Sequence, residues 1–242
     1  MEKHLKNLKP KLLINWATHE SCKYACENWH YSKSVPVPPL VKVGAWENDK
    51  FIGVVIFSRG ASSNLLKPYN LNQSEGCELT RVALSKHITP VSRILSLAIK
   101  FLKKNSPNLK LIISFADPNE GHHGGIYQAT NWIYSGRSAE SFDYFDKLGR
   151  KWHSRQVSEK GYNIQQGSIR KTVKPSECTK VKREGKHRYL LPLDNETMKL
   201  CLKLKLPYPK RAGSVESCTS SYQDEGGGES PTSALQLETK LD

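Results

Sequence analysis

Between residues 19 and 30 the apolar and aromatic positions Cys22, Tyr24, Ala25, Cys26 and Trp29 recur at helical spacing, which predicts a short amphipathic helix ending at His30-Tyr31-Ser32. A Pro-rich link over residues 34–39 follows. Two strand-like runs, 40–46 and 51–58, flank the turn Glu47-Asn48-Asp49-Lys50 and predict a β-hairpin. After a polar loop comes a third strand, 77–84, and then a helix from about residue 91 to 104 with Ile94, Leu95, Ala98, Ile99 and Leu102 on one face. Pro90 suits the start of that helix, and Lys103-Lys104 suit its end, where cations meet the negative pole of the helix dipole. Residues 109–116 are almost continuously apolar, as a central strand covered on both faces requires. The turn Asp117-Pro118-Asn119-Glu120-Gly121 ends that run, a short helix is expected over 124–130, and Trp132-Ile133-Tyr134 opens another strand. Strand, helix, strand, helix, strand is the alternation of an α/β sheet with crossover helices.

Beyond residue 143 the pattern changes. The chain becomes basic and turn-rich, with hairpins expected around Lys147-Leu148-Gly149 and Arg183-Glu184-Gly185-Lys186. Residues 147–211 hold 18 Lys and Arg against five Asp and Glu, whereas residues 212–242 hold one lysine against six acids and are rich in Ser, Thr and Gly. The expected organisation is therefore a catalytic core over 1–146, a basic β-rich extension over 147–211, and a disordered acidic tail over 212–242. The whole chain carries a formal net charge of +14, so its body is more basic still, and a polyanion is the natural partner. Double-stranded DNA is the expectation.

Composition also excludes. No apolar run approaches the roughly 18 residues that span a bilayer, so no membrane association is expected. The N-terminal stretch mixes charges among its apolar residues and has no uninterrupted apolar segment, and the six cysteines lack a disulfide-scaffold spacing. A cytoplasmic protein with reduced thiols is the expectation. Cys22 and Cys26 read as two small core residues, since no further Cys or His pair follows at zinc-finger spacing.

Two blocks carry a family resemblance: Glu78-Leu79-Thr80-Arg81-Val82-Ala83-Leu84, and Ser114-Phe115-Ala116-Asp117-Pro118 running on through Gly121-His122-His123-Gly124-Gly125-Ile126-Tyr127-Gln128-Ala129-Thr130-Asn131-Trp132. Together with His30-Tyr31-Ser32 they resemble the Mom family of phage DNA-modification proteins over roughly residues 20–140. The resemblance implies a GNAT-like acyltransferase fold, a mixed sheet flanked by helices, in an enzyme of the bacterial host cytoplasm. It also implies conversion of the exocyclic amine of adenine in DNA to a carbamoylmethyl (glycinamide) adduct that shields phage DNA from restriction. Tyr127 through Trp132 is similar to the end of the superfamily's fourth helix, with Asn131 where glycine is usual. Asn is the next-best residue for the left-handed helix cap that glycine supplies. By that similarity Tyr127 inherits the role of protonating a departing thiolate. The superfamily cradles the CoA diphosphate on backbone N–H groups of a Gly-rich loop before a helix. Here residues 85–93 contain no glycine; Ser92 and Arg93 at the helix start remain as phosphate contacts for acetyl-CoA or a related acyl-CoA.

The residue types add chemistry of their own. Asp117 closes the central strand, where α/β sheets bind ligands, and can orient or deprotonate an amine or hold a metal; a turn aspartate before proline explains it equally simply. His30 and Tyr31 are candidate substrate contacts, with Tyr31 stacking on a base extruded from the duplex, against a helix-end cap and a half-buried aromatic. Were His30, His122 and His123 to converge with Asp117, iron or zinc could bind, although the spacing identifies no metal site. Arg81, flanked two residues away by Leu79 and Ala83, reads as a phosphate clamp or an internal ion pair. The DNA grip is expected from Arg150, Lys151, Arg155, Arg170, Lys171, Lys180, Lys182, Arg183, Lys186 and Arg188, with Trp152, Tyr162 and Tyr189 interleaved as stacking surface. Two other functions fit the same residues: an acetyltransferase acting on a protein or small-molecule amine, and a non-enzymatic nucleic-acid-binding module.

Overall fold

A computed structural model of the chain describes residues 10–210 apart from 61, 153, 166 and 167, and the side chains of Arg155 and Gln165 are likewise not described. The acidic tail expected over 212–242 lies outside the described residues.

The core is a mixed seven-stranded sheet in the order β1-β2-β3-β4-β5-β12-β6, formed by β1 (Leu12–Trp16), β2 (Leu40–Glu47), β3 (Lys50–Ser58), β4 (Gly76–Leu84), β5 (Leu111–Ala116), β12 (His187–Pro192) and β6 (Ile133–Arg137). The β2–β3 hairpin falls where the sequence puts it. Asn48 and Asp49, with φ of 50° and 63°, form the two-residue left-handed turn that matches strand twist. Helices α1 (His19–Trp29) and α2 (Val91–Asn105) also sit at their expected positions. A short α3 (Gly125–Gln128) and an α4 (Asn195–Leu202) complete the layers.

Both faces of the sheet are buried, as the unbroken apolar run of β5 demands. On one face Val55, Phe57 and Ile112 pack against Ile94, Leu95, Ala98 and Leu102 of α2 and against Tyr127, Trp132 and Tyr189. On the other, Val54, Ile56 and Ala83 meet Cys22, Ala25 and Cys26 of α1, while Leu111, Ile113 and Leu190 meet Cys201 of α4. The thiols of Cys22 and Cys26 are thus core groups, and burial pushes that of Cys22 up to about 11.

The basic segment is not one appended unit. The expected hairpin around residues 183–186 does not form: β11 (Cys178–Arg183) pairs with β7 (Ser141–Asp146) in a separate three-stranded sheet with β8 (Lys151–Trp152), while β12 enters the central sheet between β5 and β6. The turn joins two sheets. Leu190 and Tyr189 of β12 have no exposed surface, and their burial against both faces of the main core outweighs any pairing with β11. Strands β9 (Tyr162–Gln165) and β10 (Ser168–Lys171) form a further two-stranded ribbon.

Candidate active site

Strands β4 and β5 are parallel neighbours only from Gly76 opposite Leu111 to Leu79 opposite Ser114. Past that point β4 continues on β3 alone as far as Leu84, and β5 turns its other edge to β12. The sheet therefore opens into a wedge. A splayed pair leaves backbone groups without ladder partners, and here side chains fill in. Ser114 Oγ lies 2.8 Å from the Leu79 carbonyl and 2.7 Å from the Tyr127 hydroxyl. A carbonyl can only accept, so with the single serine proton on Leu79 the Tyr127 hydroxyl donates to Ser114.

Tyr127 is held by the turn after it. Asn131 adopts φ of 58°, its N–H meets the Gln128 carbonyl at 3.1 Å, and the Trp132 N–H meets the Tyr127 carbonyl at 3.0 Å. That is the Schellman pattern with Asn standing in for glycine, as the sequence implies. The ring lies about 5.0 Å from those of Trp132 and Tyr189. Burial pushes its hydroxyl up to about 12. A hydroxyl so weakly acidic, with its proton already engaged, braces Ser114. Replacing Ser114 by Ala strands the buried tyrosine hydroxyl and should cost about 1–3 kcal/mol, whereas Tyr127→Phe leaves Ser114 its carbonyl partner and should cost about 1 kcal/mol. Urea unfolding of both variants and the double mutant measures the difference, and the pair should be less than additive.

Around the mouth stand the residues expected from the sequence. Asp117 ends β5 and is 6% exposed. Its Oδ1 accepts from the Asn119 N–H at 3.0 Å and side-chain amide at 2.9 Å, and Arg183 and Lys186 approach its Oδ2 at 3.4 and 3.3 Å. Burial pushes its carboxyl up, but these hydrogen bonds and the two cations outweigh that and hold it below the usual range. Asp117 is thus a turn cap and an ionised acceptor at once, suited to orienting an amine rather than taking its proton.

His30 closes α1 in an extended conformation. The Ser32 N–H donates to its Nδ1 at 3.1 Å, so the ring proton sits on Nε2. Burial, then the charge of Arg81, lowers this imidazole from the ordinary 6.5 to about 4. The unfolded chain therefore binds a proton that the folded chain refuses. His30 contributes full stability above about pH 6.5 and loses that contribution as pH falls towards 4. Histidine NMR titration should find this ring neutral at pH 6; a midpoint near 6.5 would contradict the geometry.

Tyr31 is 50% exposed, with the His30 ring at 4.3 Å and the His122 ring at 5.3 Å. Its hydroxyl is raised by burial and feels the charges of Arg81, Asp117, Glu120 and Arg183. Arg81 donates from Nη1 to the Thr80 carbonyl at 2.8 Å, and its Nε is buried without a hydrogen-bond partner among the described residues. The internal bridge considered for Arg81 is not among the described ion pairs. His123 lies on the other side of its loop, beside Gly125, with its carbonyl accepting from the Tyr189 hydroxyl at 2.5 Å. Gly124, which follows His123, has φ of 86°, and a Cβ there would enter the Tyr189 ring. His122 and His123 thus diverge. Among the described residues no three of His, Cys, Asp and Glu converge as a metal site.

Sequence reasoning missed Ser114 and Arg183. Arg183 was expected on the DNA surface; instead it is 17% exposed and bridges Asp117, Glu120 and Asp143. Other cations proposed for the grip have partners too: Arg150 with Asp146, Lys151 with Asp143, Lys182 with Glu140 and Lys186 with Asp117. These lysines and Arg150 are at least half exposed, so their pairs are weak and open to exchange for phosphate. The charge of Arg188 is felt by the buried Tyr69 hydroxyl. Tyr189 is fully buried and offers no stacking surface, because its β12 position faces the main core. Arg170 and Lys171 are exposed on β10, Lys180 lies 3.8 Å above the Phe142 ring, and Tyr162 is 43% exposed.

Ser92 and Arg93 lie in the first turn of α2. Two amides of the preceding loop are taken. Glu47, at the end of β2, accepts from the Ile88 N–H at 2.9 Å and from the Thr89 N–H and hydroxyl at 2.7 and 2.6 Å. Glu47 thus occupies two of the loop amides that precede the helix on which Ser92 and Arg93 sit. No described helix is long and apolar enough to cross a membrane.

Solved structures of similar fold include a Bacillus subtilis acetyltransferase in complex with CoA, 14% identical, covering 77% of this chain and all of that one at a TM-score of 0.42. FeeM, an N-acyl amino acid synthase from uncultured soil microbes, is 7% identical, covering 83% and 97% of the two chains at 0.45. A putative acetyltransferase from Salmonella typhimurium with acetyl-CoA is 10% identical, covering 76% and 95% at 0.40. No curated protein matches the chain. The Mom protein family matches residues 11–210, which includes the wedge, the Asp117 turn and β12, and the chain belongs to that family.

Proposed function

We propose that this chain is a DNA-modifying transferase that places a carbamoylmethyl group on the exocyclic amine of adenine, and so protects phage DNA from restriction. The observation that carries the reading is the convergence of Arg81, His30, Tyr31, His122 and Asp117 at the mouth of the β4–β5 wedge in a member of the Mom family. An adenine amine is paired inside the duplex, so the base must leave the stack to react. Tyr31, half exposed between two imidazole rings, offers the surface on which an extruded base can stack. Asp117 accepts a hydrogen bond from the amine and fixes its direction, Arg183 and Lys186 keeping the carboxylate charged. The buried Nε of Arg81 is a ready donor to a polar group of the incoming unit. The reaction forms a C–N bond between the donor's methylene carbon and the adenine nitrogen, breaks the bond from that carbon to the donor's leaving group, which departs with the electron pair, and releases the amine proton to solvent.

Duplex DNA is the partner that the basic exposed strands favour. Arg170 and Lys171, and Lys182 by exchange from Glu140, are exposed cations that can meet phosphate, which Arg183 is not. Reversing these three to glutamate should weaken binding equally across sequences and lower the slope of log affinity against log salt by up to about 3, as filter binding at several salt concentrations reads. The deciding experiment for the function is mass spectrometry of nucleosides from the DNA of cells expressing the chain. A new adenine species with the mass of a carbamoylmethyl adduct is expected; unmodified DNA, with acetylated protein or small-molecule amines instead, would overturn the reading.

A further inference from the structure

We infer that Glu47 is a specificity-determining residue that occupies the anion seat at the start of α2, so that no donor is held there through a diphosphate. The inference rests on reading the chain as a group-transfer enzyme and concerns how its donor is anchored.

Helix α2 is 15 residues long and directs its first amides, and the positive end of its dipole, towards the loop that leaves β4. Such a terminus is the natural place for a phosphate. In this chain three of the loop's amides are committed. Ser85 N–H donates to the Ile52 carbonyl at 2.8 Å, Ile88 and Thr89 N–H both donate to Glu47, and Pro90 has no N–H. The Arg93 and Ile94 amides return to the Pro90 carbonyl at 2.9 and 3.2 Å. Glu47 itself is 8% exposed and receives three hydrogen bonds from this one loop, an arrangement that spends an internal carboxylate where a ligand oxyanion would otherwise sit. Thr89, 3% exposed, adds its hydroxyl to the same oxygen.

The placement is built by the fold. Glu47 is the last residue of β2, opposite Lys50 across the left-handed Asn48-Asp49 turn, and it pairs with Leu12 of β1. Its backbone is fixed on both sides, so the carboxylate cannot leave without giving up a buried, fully bonded position. A diphosphate arriving there would meet a negative charge and no donor among the Ile88 and Thr89 amides, a repulsion that a low-dielectric setting strengthens. A donor is therefore anchored by the part that enters the wedge, the acyl or pantetheine end of a CoA ester or a smaller donor, and any diphosphate it carries stays off this loop.

The test uses the full-length protein, with CoA, pantetheine and inorganic pyrophosphate as probes in calorimetry and amide NMR. CoA should bind no more than about threefold tighter than pantetheine, or neither should bind, and pyrophosphate should leave the Ile88 and Thr89 resonances in place. CoA tighter than pantetheine by about tenfold or more, or movement of those two amides by pyrophosphate, would overturn the inference. In Glu47→Ala the freed amides should become a pyrophosphate site, and Ile88 and Thr89 should shift. A folded Glu47→Ala protein whose amides ignore pyrophosphate would mean that the carboxylate fills no anion seat, and would equally overturn it. Nucleoside mass spectrometry on the wild type is independent of these readouts, so an unmodified DNA would count against the DNA-modifying reading and leave the binding result standing.

Discussion

Asp117→Asn is expected to reduce adenine modification by about a hundredfold or more while leaving the fold in place. The change is isosteric. The amide oxygen still accepts from the Asn119 N–H that fixes the turn, and Arg183 keeps Glu120 and Asp143, with contacts of 3.1 and 2.8 Å. What disappears is the negative charge at the wedge mouth, and with it the strong acceptor that orients the amine. Modified adenine in DNA from expressing cells gives the activity, and a thermal melt gives the fold. A soluble Asp117→Asn protein that modifies DNA at the wild-type level would remove Asp117 from the site and leave it a turn cap.

Arg183→Met should be the most destabilising of the changes among the cations of the basic segment, by about 3 kcal/mol. The guanidinium is 17% exposed and is shared by three carboxylates, of which Asp117 is 7% and Asp143 is 18% exposed at the side chain. Methionine fills the volume but leaves those charges with only Lys186 on Asp117 and Lys151 on Asp143. Removing one partner of a buried cluster costs far more than the cluster itself contributes. Lys182→Met, by contrast, breaks a pair exposed by 61% and 57% and should change stability by less than about 1 kcal/mol. Urea midpoints of the two variants make the comparison. Equal midpoints would return Arg183 to the surface role that its charge alone suggests. Because Arg183 also holds Asp117, its loss should lower modification further than the melt explains.

Periodicity located α1, the β2–β3 hairpin, β4, α2 and β5 to within a residue or two, because each is amphipathic or continuously apolar over its own length and needs no distant partner to be recognised. Asn131 was legible for the same reason, since a left-handed cap is a local demand. Strand β1 was not, because its alternating half-exposed pattern is short and mixed with charge, and it exists by pairing with β2. Strand β12 was hidden by the basic residues around it. Only insertion between β5 and β6 distinguishes His187–Pro192 from one arm of a local hairpin.

The site divides along the same line. The sequence by itself placed Asp117, His30, Tyr31 and Arg81 in motifs, fixed the strand end and helix end on which they sit, and set the basic balance of the body. Their convergence at one opening, the pairing of Ser114 with Tyr127, the burial of Tyr189 and the capture of Arg183 by three acids were decided by tertiary structure alone. So was the seating of Glu47 on residues 41 and 42 positions further along the chain. A charge read from sequence carries its sign but not its partner: whether it meets solvent, a phosphate or an internal carboxylate depends on which strands become neighbours, and that is settled by the burial of both faces of the sheet.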